Sequence, residues 1–60
     1  MKVLTNKYQS ILVIDDHKMI ANGIKLLFGD DFEKFYIAND GADGMSKALQ
    51  HFPQIIIVDY

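Results

Sequence analysis

Two segments of this chain are apolar at every position and then run straight into an acid: "ILVIDD", Ile11–Asp16, and "IIIVD", Ile55–Asp59. Successive side chains of a strand point to opposite faces of a sheet. A strand without alternation must therefore be covered on both faces, as in a parallel sheet flanked by crossover helices. β-Branched residues dominate both runs, which suits strands better than helices. This single pattern restricts the chain to an α/β layer architecture.

The intervening sequence supplies the helices. Ile20, Ile24, Leu27 and Phe28 fall at i, i+4, i+7 and i+8, one face of a helix, and Met19, Gly23 and Leu26 widen it. Asp16 or His17 is placed near its N-cap, and Gly29 is placed to end it at C′. Gly23 inside the helix costs about 1 kcal/mol relative to Ala, which close packing would account for. "FEKFYIA", Phe32–Ala38, reads as a strand from its aromatic and β-branched content. "NDGADG" reads as a turn, with Asp40 capping the next helix and Asp43 as a capping-box-like partner. Met45, Ala48, Leu49 and Phe52 repeat at i, i+3, i+4 and i+7, and Pro53 follows the helix end. The expected strands are about 10–15, 32–38 and 54–59, the helices about 17–28 and 42–52, and residues 1–9 a tail or lead-in.

The order β-α-β-α-β, with right-handed crossovers, gives a parallel sheet with strand order 2-1-3. The helices then lie on opposite faces, and the central first strand is covered on both. The carboxyl ends of strands one and three lie side by side. Asp15, Asp16 and Asp59 are thereby expected to converge at the edge where doubly wound sheets bind ligands.

Converging carboxylates repel one another, and a cation relieves the repulsion. An oxygen-only donor set suits Mg²⁺, and Mg²⁺ held by carboxylates with a phosphate is the common arrangement for phosphoryl transfer. An Asp carboxylate can itself be the nucleophile, forming an aspartyl phosphate. The plainer alternative is that these acids cap strand ends and the following helix. His17 could ligate a metal or gate the acidic site, although a histidine at a helix start is more often simply exposed. His51 at the end of the second helix suits the helix C-terminus. "DGADG" lacks the alternating acids of a calcium loop, and no G-x-G-x-x-G follows a strand.

Composition narrows the class further. The chain has 60 residues, half of them hydrophobic, and a formal charge of −2. That is one small domain at most, and a chain of this size buries only about 60% of its unfolded surface. Cysteine is absent, which excludes disulfides and thiolate metal sites and fits a reducing compartment. The six basic residues are all Lys and are scattered, which argues against direct nucleic-acid binding. No apolar run approaches the roughly 20 residues of a membrane span, and the first ten residues lack a signal-peptide core. A cytoplasmic protein is expected.

"ILVIDDH", "FYIANDGADGMSKAL" and "PQIIIVDY" together resemble the first half of a response-regulator receiver domain, from about Ser10 to the last residue. That resemblance implies a doubly wound, flavodoxin-like fold represented by residues 10–60. It implies Asp59 as the phosphoacceptor and a Mg²⁺ site formed by Asp15, Asp16 and Asp59. It further implies phosphorylation by a partner histidine kinase or phosphotransfer protein, so that the chain is a regulatory phosphoacceptor rather than an enzyme. His17 after the acidic pair is similar to receivers attached to helix-turn-helix transcription factors, so nucleic acid would be contacted only through a separate output domain. The hydroxyl residue and the lysine that complete the family's site fall outside these 60 residues, and the half by itself is expected not to be competent.

The alternative reading is a non-enzymatic interaction fragment. Strand three would be a short, apolar sheet edge, a template for pairing with another chain. Self-association through that edge, or docking on another receiver, is expected. A divalent-cation site without phosphoryl chemistry is the third reading.

Overall fold

A computed structural model describes residues 8–59. The elements are β1 (Tyr8–Asp15), α1 (Lys18–Phe28), a 3-10 turn (Gly29–Asp31), β2 (Phe32–Ala38), α2 (Gly41–His51) and β3 (Ile55–Asp59). β1 begins two residues ahead of the expected start, taking Tyr8 and Gln9 from the expected lead-in. Residues 1–7 of that lead-in, and Tyr60, lie outside the described residues.

The three strands are parallel in the order β2-β1-β3, as the first half of a flavodoxin-like fold requires. Ile11 pairs with Phe35 and Ile55, and Val13 with Ile37 and Ile57. The two faces of β1 anchor two separate cores. Ile11 and Val13 meet Ala21 and Ile24 of α1, with Phe35, Ile37 and Ile55 alongside. Leu12 and Ile14 meet Ala38 and Tyr36 of β2 and Ala48 of α2. Full burial of each large side chain on β1 contributes about 1.5–3 kcal/mol, so this strand carries much of the stability. Among the described residues no helix is long and apolar enough to cross a membrane.

Small residues let the helices approach the sheet. Ala21 is fully buried under α1, and Gly44 is the buried residue of α2. A Cβ built on Gly44 would fall 2.8 Å from Ile14 Cγ1 and closer still to its Cδ1, so a larger residue there would force the Ile14 side chain to shift. Gly23 is the opposite case. Nothing lies within 4 Å of a Cβ built there, so close packing does not account for it.

Other local expectations shift. Gly29 does not end α1 in the left-handed conformation. It is right-handed (φ −58°, ψ −32°), and the chain continues into the 3-10 turn. The left-handed position belongs to Phe52 at the end of α2 (φ 48°, ψ 58°), where Pro53 then prevents the helix from continuing. Phe52 therefore lies off the apolar helix face on which its spacing places it. Asp40 caps α2 as expected, its carboxylate accepting the Asp43 N–H at 2.7 Å. That cap starts the helix inside the supposed turn, at Gly41. The Asp43 carboxylate turns to Lys47 Nζ (2.7 Å), an i,i+4 ion pair, instead of reaching back to the cap.

The start of β3 is tied to β1 by side chains. The Gln9 N–H donates to Gln54 Oε1 (2.7 Å), and the Gln54 N–H donates to Ser10 Oγ (3.2 Å). These bonds help hold the register that brings Asp59 opposite Asp15.

Candidate functional site

The acidic residues sit where the strands end. Asp15 is the last residue of β1, and Asp59 is the last of β3 and its register partner. Register partners in a parallel pair project to one face, here the face shared with Ile11, Val13 and α1. Asp16 and His17 form the link from β1 to α1, and His17 is the N-cap residue.

Burial separates the three acids. Asp15 is 0% exposed, whereas Asp16 and Asp59 are exposed. Asp15 Oδ1 accepts the His17 backbone N–H at 2.8 Å and lies 3.3 Å from His17 Nδ1. Its other oxygen, Oδ2, is buried with no hydrogen-bond partner. Leaving a carboxylate oxygen buried and unpaired is costly, so this atom needs a partner that the described protein atoms do not provide. His17 Nδ1 also lies 2.8 Å from Asp16 Oδ1, so the imidazole spans the acidic pair.

Among the described residues, Asp15, Asp16 and His17 form a cluster whose donor atoms all lie within 4.8 Å of one another. Asp59 is aligned with Asp15 by the backbone but is not part of that tight group. The sequence places the acidic pair and Asp59 at one edge of the sheet. It does not reveal that the imidazole joins the pair. The available signal is its adjacency to the two acids, which raises a role for His17 at the acidic site without deciding it against simple exposure.

The donor set fits a hard divalent cation. It has two carboxylates at the end of β1, a third at the neighbouring strand end, and one buried oxygen unpartnered. Asp15 and Asp16 would hold such an ion, with Asp59 beside them.

The sequence has relatives among known proteins. No family model matches the chain, and no solved structure matches it. Curated proteins do match. Over 51 residues the chain is 43% identical to a protein of Haemophilus influenzae described as a nitrate/nitrite response regulator protein homolog. Over a stretch of the same length it is 35% identical to the oxygen regulatory protein NreC of Staphylococcus carnosus. It is 35% identical over 52 residues to the transcriptional regulatory protein HptR of Staphylococcus aureus. Each match takes in 82% of this chain. The chain belongs to the response-regulator receiver family, of which it represents the N-terminal half. It spans 24% of the length of the first two of these relatives and 21% of the third. In this receiver segment Asp15 ends the central strand with Asp16 directly after it, and Asp59 ends the neighbouring strand.

Proposed function

We propose that this chain is the phosphoacceptor segment of a two-component response regulator. Asp59 is the acceptor, and Asp15 and Asp16, with Asp59, hold Mg²⁺. The observation that carries this reading is the register of β1 and β3, which sets exposed Asp59 beside the buried, half-unpartnered carboxylate of Asp15. Exposure leaves an Asp59 oxygen open to a donor, and burial fixes Asp15 as an immobile charge. An Asp59 oxygen attacks the donor phosphorus and forms an acyl phosphate, while the donor atom leaves with its bonding pair. Bound Mg²⁺ supplies neutralisation of the charge gathered on the carboxylates and the phosphoryl oxygens.

The phosphoryl group would come from a sensor histidine kinase or a phosphotransfer protein in the cytoplasm. Any contact with nucleic acid would belong to a separate output domain, in line with the regulatory names of the relatives. The test uses the longest protein the gene encodes, incubated with acetyl phosphate and Mg²⁺. Intact mass should show the gain of one phosphoryl group, and Asp59→Asn should abolish it. Unchanged phosphorylation of Asp59→Asn removes that residue from the role.

A second reading is favoured by one observation. Among the described residues, β3 lies at the edge of the sheet, with Ile56, Ile57 and Val58 all substantially exposed. An apolar edge of this kind pairs readily with another strand. In this reading the chain is an interaction fragment that docks on another receiver or pairs with itself. A two-fold axis would set two β3 strands antiparallel. Light scattering at low micromolar concentration separates the cases, since a compact, cooperatively folded monomer excludes self-pairing.

A further inference from the structure

Asp59 stands beside Asp15 in only one register of β3 on β1, and the apolar residues of the two strands do not choose it. Register follows the hydrophobic pattern where the two faces of a strand differ. β3 reads Ile55-Ile56-Ile57-Val58, and its partners on β1 read Ile11-Leu12-Val13-Ile14, so the two faces are alike in kind. Through most of the run a one-residue slip exchanges isoleucine for isoleucine or valine. The same slip turns every β3 side chain to the opposite face, Asp59 included. Slipped one way, Asp59 stands opposite Ile14; slipped the other, it passes Asp15 and stands opposite Asp16.

The polar residues ahead of these runs are not interchangeable. Ser10 is buried, and its Oγ accepts the Gln54 N–H at 3.2 Å. Gln54 Oε1 accepts the Gln9 N–H at 2.7 Å. One slip puts Pro53 where Gln54 stands, and proline has neither the N–H nor a side-chain acceptor. The other puts Ile55 there, which has the N–H but no side-chain acceptor. Each wrong register therefore forfeits at least one bond, and the first also leaves a buried hydroxyl without its donor. The link from α2 is short and holds Phe52 left-handed at φ 48°, so the same bonds secure a backbone position that the link alone disfavours.

We propose that Gln54 and Ser10 are positioning residues for the phosphoacceptor, their hydrogen bonds selecting the β1–β3 register that sets Asp59 beside Asp15. The proposal rests on the reading of Asp59 as acceptor. Gln54 and Asp59 lie at opposite ends of β3, about 16 Å apart at the rise of a parallel strand, so the clamp acts through the strand and touches no reacting atom.

The experiment uses the longest protein the gene encodes, its Ser10→Ala, Gln54→Leu and doubly substituted variants, and Ser10→Thr and Gln54→Glu, which keep the acceptor oxygens. Far-UV circular dichroism checks the fold, and because Gln54 is exposed, Gln54→Leu serves if Ser10→Ala does not fold. Phosphoryl uptake from acetyl phosphate with Mg²⁺ is followed by intact mass. Register is read from methyl–methyl NOEs in Ile- and Val-labelled protein, since Val13 meets Ile57 in this register and Ile56 or Val58 after a slip. Each lost bond should move the balance of registers by about two- to tenfold. The double variant should show Val13–Ile56 or Val13–Val58 cross-peaks and take up phosphoryl groups at least about threefold more slowly. Ser10→Thr and Gln54→Glu should behave as the native protein. Native cross-peaks and a native rate in the double variant overturn the proposal and leave Asp59 as acceptor. Slower uptake with native cross-peaks overturns it as well, since the two residues would then act on stability and not on register. Slipped cross-peaks with an unchanged rate overturn it too, because uptake would then be indifferent to register. Absence of uptake by the native protein overturns the phosphoacceptor reading and this proposal together.

Discussion

β1 and β3 contain nearly the same five residues, Ile-Leu-Val-Ile-Asp and Ile-Ile-Ile-Val-Asp, paired in register from Ile11↔Ile55 to Asp15↔Asp59. Their environments are opposite. Leu12 and Val13 are 0% exposed, while their partners Ile56 and Ile57 are 47% and 38% exposed. Asp15 is buried and Asp59 is open. The difference comes from position alone. Among the described residues, β1 has a strand on each side and a helix on each face, whereas β3 has one neighbour and little cover from either helix. The same local signal thus yields a structural centre in one place and an exposed edge in the other. The acid at each end inherits that contrast, a fixed charge on β1 and an accessible one on β3.

The largest expected effect tests this contrast directly. Leu12→Ala should cost about 2–5 kcal/mol, enough to unfold so small a domain. Ile56→Ala, at its register partner, should cost under about 1 kcal/mol in the monomer. Urea midpoints of the two variants measure both. Equal losses would mean that β3 is covered in solution, and a concentration-dependent midpoint would identify a second copy as the cover.

Next in size are the two helix glycines. Gly44→Ala should destabilise by about 1–3 kcal/mol, because the added methyl group overlaps Ile14 on the buried face of β1. Gly23→Ala should stabilise by up to about 1 kcal/mol, because it meets open space and gains helix propensity. Thermal melts of the two variants should shift in opposite directions, and a shift of the same sign would show that helix propensity outweighs the close approach of α2.

The acids come third. Asp15→Asn removes a buried charge with an unpartnered oxygen and should stabilise the fold by about 1 kcal/mol in metal-free buffer. Asp59→Asn, on the exposed strand, should change stability by less than about 0.5 kcal/mol. Denaturant curves with and without Mg²⁺ check both, and adding Mg²⁺ should favour native Asp15 over the variant. The smallest effect concerns the approach to β3. Phe52→Gly relieves a left-handed backbone position and should stabilise by up to about 1 kcal/mol, partly offset by the freedom glycine gains when unfolded. A fall in melting temperature would mean that the Phe52 ring contributes contacts that outweigh the strain.

Much of the site was legible before the fold. The two apolar runs ending in acids imply adjacent parallel strands, and parallel strands carry their carboxyl ends to one edge. Asp40 as a cap was legible because its side chain acts on a backbone group only three residues away. The helix contacts were less so. Of the α1 pattern, Ile24 packs on the sheet, whereas Ile20, Leu27 and Phe28 and the flanking Met19 and Leu26 are exposed, and Ala21, outside the pattern, is the fully buried contact. Periodicity weights side chains by hydrophobicity, whereas a helix lying close to a sheet is seated by its smallest residues.

From the order of its residues alone, this chain is an alternating α/β segment with strand order 2-1-3 and acids at the ends of its two most apolar strands. Period and capping act over a few residues, so the linear string records them. Which strand is interior, which glycine packs against the sheet, which acid is buried and where the His17 ring rests were decided by the tertiary structure. Each depends on neighbours brought together from distant parts of the chain, and burial arises only when those neighbours are in place.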